Sequence, residues 1–258
     1  MSEETEKKIV QKIDALLAKS KKKVMQDGFK EKKVVNEVLD KPTMMTLYNM
    51  INSGTLSYVN GVVRSGKESV LFWAIDRRGK DIALKVYLVT TSNFKRRAPY
   101  LIGDPRFSHI KKGTRNIVET WARKEFRNLK QCIESGIPCV VPIDVARNVL
   151  VMEFLGSKGI PARTLTESKV DYKDYRNTIS IISGLYRKAE LVHADFSEYN
   201  VFKTEKGLIV FDLASAVDIR HPNAKEFLER DINNISRFFV KRGLTVENPS
   251  DVLARITK

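Results

Sequence analysis

The chain has 258 residues, 42% of them hydrophobic, and a formal net charge of +15. It is long enough for one two-lobed domain or two small ones around a substantial core. No run reaches the 18 or more apolar residues of a membrane span, and the charged N-terminus lacks the apolar segment of a signal peptide. We therefore expect a cytoplasmic protein without membrane contact, and its two cysteines, Cys132 and Cys139, match no zinc or redox spacing.

The basic charge is unusual for a metabolic enzyme and indicates a polyanionic partner such as nucleic acid or a nucleoprotein. Residues 90–124 hold nine lysines and arginines against two acids, Asp104 and Glu119. The nine are Lys95, Arg96, Arg97, Arg106, Lys111, Lys112, Arg115, Arg123 and Lys124. A generally lysine-rich solvated surface is the alternative, and it stays open because charge balance speaks to association and not to fold.

The first half of the chain changes from a helical to a strand pattern. Residues 4–25 have apolar positions at helical spacing and predict an amphipathic helix within an N-terminal extension, residues 1–40. A second helical pattern runs from Thr43 to Gly54. From Tyr58 onwards, three short stretches rich in β-branched and aromatic residues are joined by turn signals. They predict an antiparallel meander of three strands.

The stretch YVNGVVRSGKESVLFWAI, residues 58–75, partly fits the phosphate-binding P-loop pattern. Gly61, Gly66 and Lys67 match, but Glu68 stands where that pattern has a Ser or Thr that ligates magnesium. A P-loop also leads into a helix, whereas this chain continues as a strand. The context favours a glycine-containing hairpin turn laid over the triphosphate of ATP, as in protein kinases.

The second half alternates helices and short strands. Residues 116–135 predict a helix that stops at Gly136, and VVPIDVARNVLVMEFLG predicts two strands around an Arg147–Asn148 turn. Residues 173–190 predict a long helix, LIVFD a strand that ends at Asp212, and residues 223–242 a polar closing helix. The lobe junction falls near Gly156.

Lys85 lies in the third strand of the meander, where a kinase places the lysine that neutralises the α and β phosphates. Its apolar neighbours make an unpaired ammonium costly, and Glu125 in the helix WARKEFRNL is the expected partner. An exposed lysine and an exposed helix acid are the alternatives. In VMEFLG, the backbone groups of Glu153 and Leu155 are placed to bind an adenine edge, although an ordinary edge strand fits that stretch as well.

The stretch HADFSEYN has the kinase catalytic-loop spacing, H-x-D followed by Asn five residues after the Asp. Asp195 would orient the proton of an attacking hydroxyl, Asn200 would offer an amide oxygen to a divalent ion, and His193 would support the loop. Asp212 would supply the carboxylate that bridges the metal to ATP. A chance match in a polar turn is the alternative, which the order of the following strand and Asp212 disfavours.

Taken in order across residues 40–240, the segments SGKES, IALKVY, WARKEFRNL, MEFLG, LVHADFSEYN and FDLASAV resemble the RIO family of atypical serine/threonine protein kinases. TSNFKRRAPYLIGDPRF and KEFRNL resemble its first, type-one subfamily. The resemblance implies ATP and Mg²⁺ or Mn²⁺ as cofactors, with Asp195, Asp212 and Lys85 as catalytic residues and with Asn200 and Asp212 holding the metal. It implies a nucleotide site formed by Val63, Ser65, Gly66, Lys67, Glu68, Lys85, Glu125, Glu153, Leu155 and Pro161.

The implied fold class is α+β, a two-lobed protein-kinase-like fold. Residues 41–155 would form an N-lobe of antiparallel sheet plus one helix, with a flexible basic loop at 90–115. Residues 156–258 would form a reduced, mainly helical C-lobe. Only 46 of the 258 residues follow Asp212. These are too few for both an activation segment and peptide-docking helices, so neither is expected.

Two positions depart from the family's pattern. Arg64 replaces a hydroxyl residue of the nucleotide loop, and Ser215 occupies the place of a glutamine three residues after the metal-binding Asp. These changes put the phosphate contacts and the surroundings of Asp212 in question, while the catalytic trio is complete.

The resemblance implies metal-dependent phosphoryl transfer in maturation of the small ribosomal subunit, with the pre-ribosomal particle and its rRNA as partners. We expect a monomer, although the sequence itself does not decide the oligomeric state. The alternative is an ATPase conformational switch that forms a phosphoenzyme at Asp212 and has little protein-kinase activity. A pure RNA-binding scaffold is disfavoured, because the catalytic residues would serve no purpose in it. Ser92 and Ser108 in the basic loop are candidate self-phosphorylation sites.

Overall fold

The computed structural model describes residues 39–89, 98–107 and 113–258. In these residues the helices are α1 Lys41–Ser53, α2 Thr114–Glu134, α3 Tyr172–Arg187, α4 Ala224–Lys241 and α5 Pro249–Thr257. The strands of the main sheet are β1 Tyr58–Ser65, β2 Ser69–Ile75, β3 Asp81–Tyr87, β4 Pro142–Ala146 and β5 Val149–Glu153. Shorter strands are β6 Gly156–Ser157, β7 Ile160–Pro161, β8 Leu191–Val192, β9 Val201–Thr204, β10 Gly207–Val210 and β11 Val217–Asp218.

The described residues divide into two compact units. The first unit contains residues 39–89, 113–123 and 142–161, and the second contains 98–107, 124–141 and 162–258. Each unit is therefore assembled from separate stretches of chain, and helix α2 contributes its first half to one and its second half to the other. The predicted domain limits at 40 and 155 stay a prediction.

The first unit is built on a five-stranded antiparallel sheet in the order β1-β2-β3-β5-β4. The meander β1-β2-β3 agrees with the alternation of apolar residues and turns in the sequence. Strand β3 is buried along almost its whole length, because β2 and β5 cover its two edges. Helix α1, capped by the Asp40 side chain at its N-terminus, packs Leu47 and Met50 into the core cluster with Val70, Phe72 and Leu84.

The second unit is mainly helical, with small two-stranded ladders β8–β11 and β9–β10. Helix α4 carries a buried apolar stripe that includes Phe227, Ile235 and Phe239, so the polar helix expected from its composition is amphipathic. Helix α5 packs its buried Val252 and Ile256 in this unit. The sequence analysis missed α5.

Three further expectations have three different outcomes: one is wrong, one lies outside the described residues, and one agrees with the described residues. Strand β10 ends at Val210, two residues before Asp212, so the acid lies in the turn and not on the strand. The N-terminal helix at residues 4–25 lies outside the described residues, and so do Ser92, Ser108 and half of the basic loop at 90–115. In the described part of the chain, every helix is too short or too polar to cross a membrane.

Candidate active site

The β1–β2 turn in the first unit places Gly66, Lys67 and Glu68 between two paired strands. The Gly66 N–H donates to Ser69 O at 2.9 Å, and the Leu88 N–H donates to Glu68 O at 2.8 Å. Ser65 and Lys67 are exposed, and Val63 is half-buried. Strands follow and precede the turn, so the P-loop interpretation is excluded and a hairpin turn is observed.

Lys85 lies in the middle of β3, opposite Leu71 of β2 and Leu150 of β5. Only 8% of the residue is exposed, and its Nζ lies 5.2 Å from the centroid of the Tyr87 ring. A buried ammonium requires charge or π partners. The predicted pair of Lys85 with Glu125 stays a prediction; Glu125 itself is fully buried in α2.

A short hairpin, β6–β7, follows β5, and the residues proposed to surround adenine lie at the end of β5, in the link to β6 and in β7. Glu153 is half-buried at the end of β5, Leu155 is half-buried, and Pro161 is exposed at the end of β7. The hairpin is fixed to the main sheet by Asp81, whose carboxylate accepts from Lys158 N at 3.1 Å and from Trp73 Nε1 at 2.8 Å. The sequence analysis missed Trp73 and Asp81 as supports of this segment.

In the second unit, the loop from His193 to Asn200 joins β8 to β9. Asn200 Nδ2 donates to Asp195 O at 2.9 Å, which fixes the amide and leaves its Oδ1 as an acceptor for other groups. Asp195 itself is exposed at the loop surface. His193 is buried, with Nε2 3.2 Å from Phe211 O and its ring edge-on to Phe196. The loop therefore exposes Asp195 to solvent and is anchored by the buried side chain of His193.

Asp212 lies directly beside this loop, because the Phe211 N–H donates to Asn200 O at 3.0 Å. Its backbone is left-handed, with φ 59° and ψ 58°, and its side chain is half-buried. A carboxylate and a fixed amide oxygen on adjacent backbones are hard ligands of the type that Mg²⁺ and Mn²⁺ prefer. Asn200 and Asp212 thus fit a divalent cation that also binds phosphate oxygens; the described residues contain no cluster of three or more His, Cys, Asp or Glu able to hold a metal alone.

Asp231 of α4 supports the same loop and was missed in the sequence. Its carboxylate accepts from Ala194 N at 2.7 Å and from Phe196 N at 2.9 Å, the two backbone N–H groups on either side of Asp195. Burial raises the pKa of Asp231 to about 6, although the nearby His193 and the two N–H donors lower it. The signal was present, because Asp231 stands four residues from Phe227 and from Ile235 on the apolar stripe of α4.

The basic segment contains two residues that are not available to a polyanion. Lys124 is fully buried, and Arg106 is bidentate to the Asp104 carboxylate, with Nη2 at 2.7 Å and Nε at 2.9 Å. Both residues therefore count toward the basic composition of this segment but not toward its exposed charge. Ser215, at the place of the family's glutamine, is buried in the turn after Asp212.

The chain was compared with protein-family models, with characterised proteins and with solved structures. The family model described as a RIO domain matches residues 70–252. The chain is 38% identical over 220 residues to the RIO-type serine/threonine-protein kinase Rio1 of Haloferax volcanii, covering 84% of this chain and 76% of that protein. It is 37% identical to the Rio1 of Methanocaldococcus jannaschii, covering 94% of this chain and 82% of that protein.

Eukaryotic relatives are longer. Human serine/threonine-protein kinase RIO1 is 35% identical over 88% of this chain, but the match spans 41% of the human protein. Among solved structures, the Rio2 kinase–ADP/Mg²⁺–phosphoaspartate complex from Chaetomium thermophilum matches with a TM-score of 0.61 and 23% identity, covering 82% of this chain and 65% of that one. This likeness confirms the predicted kinase-like α+β fold.

Proposed function

Since the chain belongs to the RIO family of serine/threonine protein kinases, we propose that it transfers the γ-phosphoryl group of ATP in a reaction that requires Mg²⁺ or Mn²⁺. The observation that supports this reaction most directly is the connected arrangement of Asp195, Asn200 and Asp212 in the second unit. A bound divalent cation would neutralise charge on the phosphate oxygens.

Each residue of this arrangement has a task that its surroundings support. Asp195 is exposed and its loop is fixed by Asp231, so it can accept the proton of an attacking hydroxyl or orient that hydroxyl. Asn200 and Asp212 would hold the metal. In the first unit, the buried Lys85 would neutralise phosphate charge, and the β1–β2 turn with Ser65, Gly66, Lys67 and Glu68 would lie over the phosphates.

The stretch from the end of β5 through the β6–β7 hairpin would bind the adenine. Glu153 and Leu155 would offer backbone groups to its edge, and Pro161 and Val63 would contact its faces. The hydrogen bond from Lys158 N of the hairpin to Asp81, whose carboxylate also accepts from Trp73 Nε1, supports the role, because a rigid segment loses less conformational entropy on binding.

A second candidate function places the covalent chemistry at Asp212. The related Rio2 kinase was solved as a complex with ADP, Mg²⁺ and phosphoaspartate, and here Asp212 is held beside Asn200 in the turn after β10. An Asp212 carboxylate oxygen would attack the γ-phosphorus while the bond to ADP breaks, which gives an acyl phosphate. Water oriented by Asp195 would then attack that phosphorus, releasing orthophosphate and the Asp212 carboxylate.

The basic charge supports a polyanionic partner. We propose that the protein acts in the cytoplasm as a monomer on the pre-small-subunit ribosomal particle, where the net charge of +15 would favour binding to rRNA. If the phosphoenzyme forms at Asp212, its formation and hydrolysis would act as a conformational switch on that particle. Ser92 and Ser108 remain candidate self-phosphorylation sites of the kinase reaction.

One experiment separates the two reactions. The protein is incubated with γ-labelled ATP and Mg²⁺, quenched, and treated with hydroxylamine, which cleaves an acyl phosphate and leaves phosphoserine intact. Label that survives and maps to a serine supports the kinase reaction. Label that is lost, and that is absent from Asp212→Asn from the start, supports the phosphoenzyme. Phosphoryl transfer at the wild-type rate in Asp212→Asn would refute the role of Asp212 in both.

A further inference from the structure

The turn that follows Asp212 is held by side chains from α2. Residues Leu213–Ser215 form one turn of 3-10 helix, and the whole stretch from Leu213 to Ala216 is buried. Within this turn Leu213 O accepts from the Ala216 N–H at 3.2 Å, but a single turn supplies no such partner for its later carbonyl oxygens. A buried carbonyl oxygen without a hydrogen bond destabilises the fold, so other groups must satisfy these oxygens.

Lys124 and Asn128 provide these partners. Lys124 Nζ donates to Ala214 O at 3.1 Å and also to Ala216 O. Asn128 Nδ2 donates to Leu213 O at 2.8 Å and to Ala216 O at 3.0 Å. Both side chains are fully buried, and their spacing of four residues places them on one face of the helix.

Arg106 fixes the orientation of the Asn128 amide. Arg106 Nη1 donates to Asn128 Oδ1 at 2.8 Å, so the amide nitrogen is the end that faces the carbonyls. The guanidinium is held in turn by the carboxylate of Asp104. Burial raises the pKa of Asp104, but the hydrogen bond and charge of Arg106 outweigh it, and the pKa is lowered. Asp104 therefore remains ionised and keeps Arg106 in place.

We propose that Lys124 and Asn128 are positioning residues for the metal ligand Asp212. A left-handed conformation is uncommon for a residue other than glycine and persists when its surroundings determine it. On the C-terminal side of Asp212, the chain is fixed because the carbonyls of the next residues accept hydrogen bonds from Lys124 and Asn128 of α2. On the N-terminal side it is fixed by the hydrogen bond from the Phe211 N–H to Asn200 O. The proposal rests on the proposed role of Asp212 and adds the residues that set its direction.

The test uses two readouts that do not depend on catalysis. Mn²⁺ binding in the presence of ADP is measured from the electron paramagnetic resonance signal of free Mn²⁺. The backbone conformation of Asp212 is followed without ligand by the ¹³Cα and ¹³Cβ shifts of ¹³C-aspartate-labelled protein, with Asp212→Asn identifying the signal. ADP affinity in EDTA is measured beside them.

Asn128→Leu and Lys124→Met are expected to weaken Mn²⁺ binding about 10–100-fold, as removal of a ligand's supporting partner usually does, and to move the Asp212 shifts. ADP affinity in EDTA is expected to stay unchanged. Gln131→Leu is the matched control, because Gln131 also accepts from Arg106, at 3.2 Å, but its amide nitrogen donates to Ala189 O and not to the turn. This control should keep the wild-type Mn²⁺ midpoint and Asp212 shifts.

Wild-type Mn²⁺ affinity in folded Asn128→Leu or Lys124→Met would overturn the proposal, and so would an equal weakening in Gln131→Leu, since that indicates general destabilisation. Should either variant unfold, Arg106→Lys decides in its place: it keeps the charge but cannot reach both Asp104 and Asn128, so a smaller weakening of Mn²⁺ binding is expected. Unchanged Mn²⁺ affinity in Asp212→Asn would instead refute the metal role itself and the proposal with it.

Discussion

At the scale of single residues, Asp231 connects a buried helix position to the exposed Asp195. Both carboxylate oxygens of Asp231 accept from the backbone that flanks Asp195. In Asp231→Asn one of these acceptors becomes an NH₂ donor that faces an N–H group. We expect kcat to fall on the order of tenfold or more while ATP affinity changes little, measured by steady-state kinetics and calorimetry. An unchanged kcat would show that the loop holds its geometry without this carboxylate.

The raised pKa of Asp231 also predicts how stability depends on pH. The unfolded value is 3.8 and the folded value about 6, so between these values the folded protein binds the proton more tightly. The contribution of Asp231 is full below pH 3.8 and is lost as pH rises through 6, a difference of about 3 kcal/mol. Denaturant unfolding at pH 4–7 should therefore show Asp231→Asn gaining stability over the wild type as pH rises. A constant difference would contradict the burial effect.

Lys85 offers a test in the first unit. Replacing it by methionine keeps the length of the side chain and removes the charge, so we expect phosphoryl transfer to fall at least about 100-fold while the far-ultraviolet spectrum is unchanged. Lys80→Met, in the exposed turn before β3, is the control for charge removal and should remain active. Wild-type turnover in Lys85→Met would disprove the assignment.

The residues of the candidate site differ in how clearly the sequence alone indicates them. Lys85, Asp195, Asn200 and Asp212 stand in motifs whose spacing is fixed by the chemistry, so the sequence alone predicts them as candidates. Asp231 stands in no such motif, and Asn128 stands in the segment WARKEFRNL but has no role there that the spacing assigns. A polar residue within a helix is usually solvated, and only its place beside apolar positions shows that it is buried. The left-handed backbone of Asp212 has no sequence signal at all, since Asp is compatible with several conformations.

At the scale of elements, the β6–β7 hairpin depends on close approach to the sheet. Gly159 has φ 80°, and a Cβ there would lie 2.7 Å from the Trp73 ring. Gly79, in the β2–β3 turn, has a similar φ of 78° but nothing within 4 Å of its would-be Cβ. The two glycines therefore share the backbone requirement and differ in their steric surroundings.

This pair predicts a difference between two alanine variants. Gly79→Ala should lose roughly 1 kcal/mol of stability from the backbone alone. Gly159→Ala should lose more and should also weaken ATP binding, because the hairpin must move away from Trp73 and carry Pro161 with it. Thermal unfolding and ATP titration of both variants check this; equal behaviour would show that the hairpin tolerates displacement.

The elements differ in how well the sequence predicts them. The meander was predictable because strands, turns and periodicity agree, and helices α1 to α4 fall within a few residues of their patterns. Helix α5 was overlooked although Asn248 caps it and Pro249 occupies its first turn, since nine residues give too short a periodic pattern to stand out. The turn after β10 could not be placed, because its geometry comes from Lys124 and Asn128, distant in sequence.

At the scale of the whole molecule, the net charge of +15 predicts salt-dependent association. Affinity for small-subunit ribosomal particles should fall steeply with salt. Neutralising Lys95, Arg96 and Arg97 should reduce the slope of log affinity against log salt by roughly one for each phosphate that these side chains neutralise. Arg106→Gln is not equivalent, because Arg106 is bound to Asp104. A salt-insensitive interaction would argue against a polyanionic partner.

The order of strands in the main sheet bears on how the protein is made. Strand β5 lies between β3 and β4, yet it is synthesised more than sixty residues after β3, because β3 ends at Tyr87 and β5 begins at Val149. Until β5 leaves the ribosome, the apolar edge of β3 stays open and can pair with another chain. Nascent chains stalled before β5 has left the exit tunnel should therefore aggregate or recruit chaperones. Chains stalled far enough beyond Pro161 for β5 to be outside the tunnel should protect the strands of the sheet from proteases.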